Sequence, residues 1–99
     1  MYETHETQIE TIAKHYGSKR QVVKACEELS ECISALCTGL YAHEDDVGAF
    51  EHMAEEMADA RIMLDQIEFL YGLKTHCAYW REFKLTRQMN RIRDEQKLS

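Results

Sequence analysis

The sequence predicts an all-α protein in which four helices form a bundle-like protomer of a single domain, residues 1–99. The chain contains no proline and only four glycines, so that little in it interrupts a helix. Its apolar residues recur at alternating steps of three and four positions, the period of an amphipathic helix. A chain of 99 residues can bury one modest core, which favours one domain over two.

The first two helices are delimited by glycine and serine. The first is predicted from about residue 3 to residue 16, where Gly17 ends it. Ser18 is expected to cap the second helix, because its side chain can accept a hydrogen bond from a free backbone N–H. The second helix then extends to Thr38, with Gly39 as its C-terminal signal.

One loop separates these helices from the other two. It covers residues 40–48, and either Asp45 or Asp46 can cap the helix that follows. The third helix is predicted over about residues 49–71 and the fourth over about residues 75–96. The short loop makes the second and third helices antiparallel neighbours.

Two apolar stripes predict which faces pack together. Both follow a 4-3-4-3-4 spacing, as in helices packed lengthwise in a bundle or hairpin. The stripe of the second helix consists of Val22, Cys26, Leu29, Ile33, Leu36 and Leu40. The stripe of the third consists of Met53, Met57, Ala60, Leu64, Ile67 and Tyr71.

A second apolar patch predicts self-association. Ile62 and Phe69 lie about opposite the main stripe of the third helix, where one hairpin does not cover them. Packing against another copy would remove such a patch from water, and two-fold symmetry is its commonest form. We therefore expect a homodimer or homotetramer with Ile62 and Phe69 at or near a subunit contact.

Charge and cysteine content bear on partners and compartment. Residues 1–73 contain 5 basic and 15 acidic residues, a net charge of −10, whereas residues 74–99 carry +4. An acidic chain binds nucleic acid poorly, so no direct nucleic-acid binding is expected. No apolar run is long enough to span a membrane, and the polar N-terminus does not resemble a signal peptide. The four cysteines form no C-x-x-C pair and predict reduced, mostly buried thiols in a cytoplasmic protein.

Acidic residues interrupt both apolar helices at a similar spacing. Glu28 and Glu31 lie one turn apart on one flank of the second helix, and Lys24 shares that flank. Glu56 falls within the apolar arc of the third helix, with Asp59 at its edge. Carboxylates directed towards a packed seam are costly unless cations compensate them, and nearby basic residues are too few. An all-oxygen ligand set suits a hard cation, Mg²⁺ first and Mn²⁺ second.

A solvated helix face and a di-iron centre are two other interpretations of these acids. Glutamates spaced three apart are often a solvated helix face, and this remains open for each motif taken alone. A di-iron centre requires two Glu-x-x-His motifs. None of the five histidines follows a glutamate by three positions, which argues against iron.

The two acidic motifs resemble those of a known family. "EELSE", then 23 residues and "EEMAD", is similar to the E-E-x-x-E … E-x-x-D pattern of the MazG-like, all-α nucleoside triphosphate pyrophosphohydrolases. The apolar frame around both motifs is similar too, and "WREFKLTRQMNRI" resembles the basic closing helix of short, single-domain members common in bacteriophages and prophages. About 70 of the 99 residues share the likeness.

The resemblance implies an activity and a set of site residues. Members are hydrolases of acid anhydrides that cleave a (deoxy)nucleoside triphosphate to the monophosphate and pyrophosphate, in nucleotide-pool control or house-cleaning. Glu27 would be a catalytic residue that binds through water or orients the nucleophile, and Lys24, Lys84 and Arg87 would contact the nucleotide. The implied Mg²⁺ ligands, which are also catalytic, are Glu28, Glu31, Glu56 and Asp59.

Two questions stay open at the level of sequence. A base pocket could use Tyr41, Phe50, Tyr79 or Trp80, although such aromatic residues are more often part of a core. The basic stripe of Lys84, Arg87 and Arg91 could equally be a solvated surface. The alternative function is therefore a non-catalytic helical module of phage origin that binds a nucleotide or a protein.

Overall fold

The computed structural model describes residues 3–98 and contains four α-helices, with no β-strand in that part of the chain. The all-α class and the helical bundle are thereby confirmed. In chain order the helices are α1 (His5–Tyr16), α2 (Ser18–Leu40), α3 (Val47–Tyr71) and α4 (Lys74–Leu98).

Gly17 forms the sharp corner between α1 and α2. Its φ of 86° lies in a region that residues with a side chain rarely adopt. Its N–H donates to Ala13 O, which closes α1, while its own carbonyl accepts from Gln21 N in α2. Gly17 is therefore the N-cap of α2, and the predicted cap, Ser18, is instead the first residue of the helix.

The ends of α3 follow the sequence signals. The Asp46 carboxylate accepts from Ala49 N at 3.0 Å, which satisfies one free donor of the first turn. Gly72 adopts the left-handed conformation, with φ of 64°, and starts the short turn into α4. Gly39 does not behave as predicted: α2 continues through it to Leu40, and it is buried against Met53.

The core between α1, α2 and α3 is built from small residues. Alanine side chains let the helices approach closely. Among the buried apolar residues of positions 3–98, Met63 has the one large side chain. Three polar residues, Gln21, Glu56 and Gln66, share this core. The buried apolar residues are Ala13, Ala25, Ala35, Ala60 and Met63.

The two predicted stripes describe the core only in part: Ala60 is buried, whereas the other members are half-buried or exposed. In α2 the buried positions lie about a quarter turn from the stripe, so that Ile33 is 63% exposed and Leu40 is 73% exposed. In α3, Leu64 is 47% exposed for the same reason. Alanine, glutamine and glycine occupy the contact because closely packed helices require side chains that fit the space between them. A hydropathy pattern does not record side-chain size. The exposed members of the stripes form an apolar back face of the hairpin, on the other side from the flank of Glu31 and Asp59.

The second predicted patch is partly covered within the chain. Phe69 is half-buried where α1 meets α3, and the Lys14 ammonium lies 5.5 Å from the centre of its ring. Ile62 remains 43% exposed. The larger uncovered apolar surface is thus the back face rather than this patch.

Helix α4 projects from the bundle. It contacts α3 among the described helices, and none of its residues is buried. Lys74 ties its start to α1 through a 3.2 Å ion pair with Glu6. Tyr79, Trp80 and Phe83 pack edge to face along its exposed surface. Within residues 3–98, no helix has the length and apolar content needed to cross a membrane.

The cysteines are unpaired, as predicted, but the expectation that they are mostly buried is wrong. Cys26, Cys37 and Cys77 are exposed, and Cys32 is half-buried. The same quarter-turn displacement explains Cys26, which belongs to the predicted stripe of α2 and lies on the back face.

The contact between Gly39 and Met53 predicts opposite effects of two alanine substitutions. A Cβ at Gly39 would lie 2.8 Å from Met53 Cγ and closer still to Met53 Sδ, so Gly39→Ala should lower the free energy of unfolding by about 1–2 kcal/mol. Gly48→Ala, in the exposed first turn of α3, should raise it by up to about 1 kcal/mol. Urea unfolding followed by circular dichroism measures both, and a stabilised Gly39→Ala variant would contradict the close approach.

Candidate metal centre

Antiparallel packing of α2 on α3 brings three carboxylates together. Glu28 comes from α2, and Glu56 and Asp59 come from successive turns of α3. One oxygen from each side chain lies within 4.8 Å of the others. Twenty-seven residues of chain separate Glu28 from Glu56, so the helix pairing creates this cluster.

Glu56 is the most enclosed of the three acids. It is 8% exposed, while Glu28 and Asp59 are half-buried. Its Oε2 atom is buried and has no hydrogen-bond partner within residues 3–98. A buried charged oxygen without a partner costs free energy, and native proteins rarely retain one that nothing else compensates.

Glu31 lies at the edge of the cluster. The pKa of its carboxyl is raised above the ordinary value, first by repulsion from Glu28, then by partial desolvation and by Glu56. A raised pKa in the folded state means that the repulsion is felt above that pKa and relieved below it. Glu31 is itself exposed, and its carboxylate is not one of the three that lie within 4.8 Å of one another.

The basic side chains near the cluster do not balance its charge. Lys24 Nζ lies 3.2 Å from Glu28 Oε1 and 3.6 Å from Glu27 Oε2. The pKa of Lys24 is raised by its hydrogen bond to Glu28 and by the attraction of both glutamates. His52 Nδ1 is 4.0 Å from Glu56 Oε1, at the limit of an ion pair. Across residues 3–98, Lys24 is the one lysine or arginine that forms a salt bridge with the four predicted ligands.

The donor set fits a hard divalent cation. Carboxylate oxygens are what Mg²⁺ and Mn²⁺ prefer, and one cation between the three side chains would compensate both their mutual repulsion and the orphaned Glu56 oxygen. Glu28, Glu56 and Asp59 are the residues that would hold it, and the structure does not bring Glu31, the fourth predicted ligand, into this group. Sulfur and imidazole ligands, which favour zinc, are not part of this group.

The structure separates the other predicted site residues. Glu27 is exposed and reaches the centre only through Lys24. Lys84 and Arg87 lie on α4, which has no contact with α2, and the Arg87 guanidinium stacks 5.7 Å from the Phe83 ring centre. Within one chain, these two cations are therefore not brought to the carboxylates. The aromatic candidates for a base pocket, Tyr41, Phe50, Tyr79 and Trp80, are all exposed.

Sequence reasoning missed a buried amide pair beside the centre. Gln21 Nε2 donates to Gln66 Oε1 at 2.7 Å, and Gln66 Nε2 lies 3.6 Å from Met63 Sδ. Each glutamine sits seven residues from an acid of the cluster, Gln21 before Glu28 and Gln66 after Asp59. A step of seven residues is about two turns, so each glutamine lies on the same face of its helix as the acid. This spacing is the sequence feature from which the amide pair could have been predicted.

Comparisons of the chain with known protein families, curated proteins and solved structures found no match. The likeness to the MazG-like enzymes therefore stays an expectation from the motifs. The candidate centre rests on its own geometry: three carboxylates from two helices, one orphaned oxygen and a deficit of nearby cations.

The orphaned oxygen predicts how the metal-free protein responds to neutralising Glu56. In EDTA, Glu56→Gln should raise the free energy of unfolding by about 1 kcal/mol, because an amide both removes the charge and can donate to a neighbouring carboxylate. Adding Mg²⁺ should then stabilise the wild type but not the variant. Thermal unfolding with and without Mg²⁺ measures both effects.

Glu55→Gln is the matched control, since Glu55 is exposed on the preceding position of the same helix. It should change stability by less than about 0.5 kcal/mol and keep the response to Mg²⁺. A loss of several kcal/mol in Glu56→Gln would mean that the glutamate stabilises the fold directly, against a role as metal ligand.

Proposed function

We propose that the protein is a Mg²⁺-dependent hydrolase that cleaves a nucleoside triphosphate to the monophosphate and pyrophosphate. The observation that carries the proposal is the carboxylate cluster of Glu28, Glu56 and Asp59 with its orphaned buried oxygen. The motifs that resemble MazG-like enzymes add the reaction type. Control or cleaning of a nucleotide pool is the role that such an activity serves. Free thiols on all four cysteines are consistent with a reducing cytoplasm.

The residues of the centre divide the work by charge. Glu28, Glu56 and Asp59 hold the cation, which when bound supplies neutralisation of phosphate charge and a more acidic water. Lys24, half-exposed at the rim, can leave Glu28 and bind a phosphate oxygen. Glu27 is then released from the same lysine and can accept a proton from water or orient it.

Pyrophosphate release tests the proposal. Incubation with a panel of ribo- and deoxyribonucleoside triphosphates and Mg²⁺ should yield monophosphate and pyrophosphate in equal amounts for at least one substrate. Asp59→Asn should lower kcat at least about a hundredfold, because an amide is a far weaker ligand than a carboxylate. Chromatography of the nucleotides with an assay for pyrophosphate measures both products.

Asp65→Asn is the matched control, since Asp65 is exposed on α3 away from the cluster. It should keep the wild-type rate. Release of inorganic phosphate with a diphosphate product would indicate a different reaction. Absence of turnover with every nucleotide, in a folded protein, would favour the second candidate function.

The second candidate is a helical interaction module without catalysis. The observation that favours it is α4, whose large apolar residues are at least 39% exposed from Tyr79 onward. An exposed helix of this kind is typical of a segment that docks on another protein. Nucleotide turnover separates the two candidates.

Association of the chain with itself belongs to the same proposal. The back face of the hairpin exposes apolar residues of both α2 and α3, including Ile33, Leu36 and Leu64. A second copy covering this face would remove them from water, and two-fold symmetry would make the contact reciprocal. Helix α4 of a neighbouring copy is also the means by which Lys84 and Arg87 could reach a phosphate, since their own helix stands apart.

Light scattering at low micromolar concentration should therefore give the mass of two or four chains. Ile33→Lys should reduce that mass, because it places a charge on the back face. Val47→Lys is the control, since Val47 is 69% exposed at the start of α3 and is not part of either stripe. A wild-type monomer of 11.6 kDa with full activity would contradict the assembly.

A further inference from the structure

A groove opens at the corner where α1 turns into α2. Its volume is about 1080 Å³, and α3 closes its base. Apolar side chains come from all three helices, with Ile12 on α1, Val23 on α2 and Ile62 on α3, and polar and charged side chains lie among them. A groove with both kinds of side chain suits a small organic molecule that carries polar groups.

The buried amide pair forms the floor of this groove. Gln21 and Gln66 both line it, and each is at most 4% exposed. Their mutual hydrogen bond uses Gln21 Nε2 and Gln66 Oε1, so Gln21 Oε1 takes no part in it. An amide group offers both a donor and an acceptor, which is the hydrogen-bonding character of a nucleobase edge.

The groove extends to the rim of the metal centre, although none of the clustered carboxylates lines it. Lys24 and Glu27 line it, and Lys24 is the residue that binds Glu28. On each helix the amide and the acid are seven positions apart, about 10.5 Å along the helix axis. A nucleotide spans a comparable distance between the hydrogen-bonding edge of its base and its phosphates.

Charge at the rim favours a polyanion on one side only. Lys19, Arg20 and Lys24 border the groove, in a part of the chain that is otherwise strongly acidic. The Arg20 guanidinium lies 4.7 Å from the centre of the Tyr16 ring, which orders both side chains at the mouth. An uncharged apolar ligand would offer no hydrogen-bond donor to Gln21 Oε1, which takes no part in the bond between the two amides.

We propose that this groove binds the nucleobase of the substrate, with the base edge on the Gln21–Gln66 pair and the phosphates directed past Lys24 to the carboxylates. Nucleotide as the class of ligand rests on the proposed function. The assignment differs from the sequence-predicted aromatic candidates, none of which lines the groove. Selection among bases would then depend on hydrogen bonds to a fixed amide pair rather than on stacking.

Binding of nucleoside monophosphates in EDTA tests the groove without requiring catalysis. The probes are AMP, GMP, CMP, UMP and their deoxy forms at millimolar concentration, and the readout is the shift of side-chain amide resonances in NMR spectra. At least one probe should shift the resonances of Gln21 and Gln66. If no probe shifts them, the inference is overturned, whether or not the protein hydrolyses triphosphates.

Filling the groove should block this binding. Val23 is 59% exposed, so Val23→Trp can occupy the groove without disturbing the core, and it should weaken binding at least about tenfold. Ser34→Trp is the control, because Ser34 is exposed on the same side of α2 as Val23, three turns further along the helix and outside the groove. It should bind within about twofold of the wild type.

A double substitution tests the floor. Replacing both members of a buried hydrogen bond by apolar residues of similar size is close to neutral for folding, so Gln21→Leu with Gln66→Leu should keep the helical content. It should also reduce discrimination among the bases at least about tenfold. Unchanged affinities in Val23→Trp, or unchanged base preference in the double variant, would overturn the inference. If triphosphate hydrolysis persists in that case, the proposed function survives without this groove.

Discussion

The close approach of α2 and α3 is the constraint on which the other features depend. The small buried residues are Ala25, Ala35 and Gly39 on α2 and Ala60 on α3, and Gly39 packs directly against Met53. At that separation, glutamates of opposite helices come within reach of a single cation. Bulkier residues at the contact would give a more apolar core and at the same time pull the carboxylates apart.

The sequence was sufficient for the helices and for three members of the carboxylate cluster, but not for the orientation of the helices. Glycine and aspartate signals predicted the ends of α3, and of the four predicted acids Glu28, Glu56 and Asp59 lie together while Glu31 lies outside the group. Hydropathy assigned Ile33 and Leu64 to the core because it weighs apolar character, whereas the packed contact selects small residues and a glutamine pair. The groove escaped prediction because it arises where three helices meet.

Acidic and basic residues lie in different parts of this protein. The bundle carries most of the acids, and the projecting α4 carries most of the cations. Within residues 3–98, one ion pair, between Lys74 and Glu6, joins the two at the start of α4. The basic α4 of one chain can attract the acidic bundle of another chain as well as its own. Electrostatic attraction and the apolar back face therefore both favour self-association.

The position of Trp80 has a spectroscopic consequence. It is the one tryptophan of the chain and is 52% exposed, on a helix with no buried residue. The fluorescence emission of Trp80 therefore depends on the surroundings of α4 and is insensitive to the core of the bundle. Intrinsic fluorescence would follow the docking of this helix on another surface by a blue shift, while melting of the α2–α3 contact would pass almost unseen.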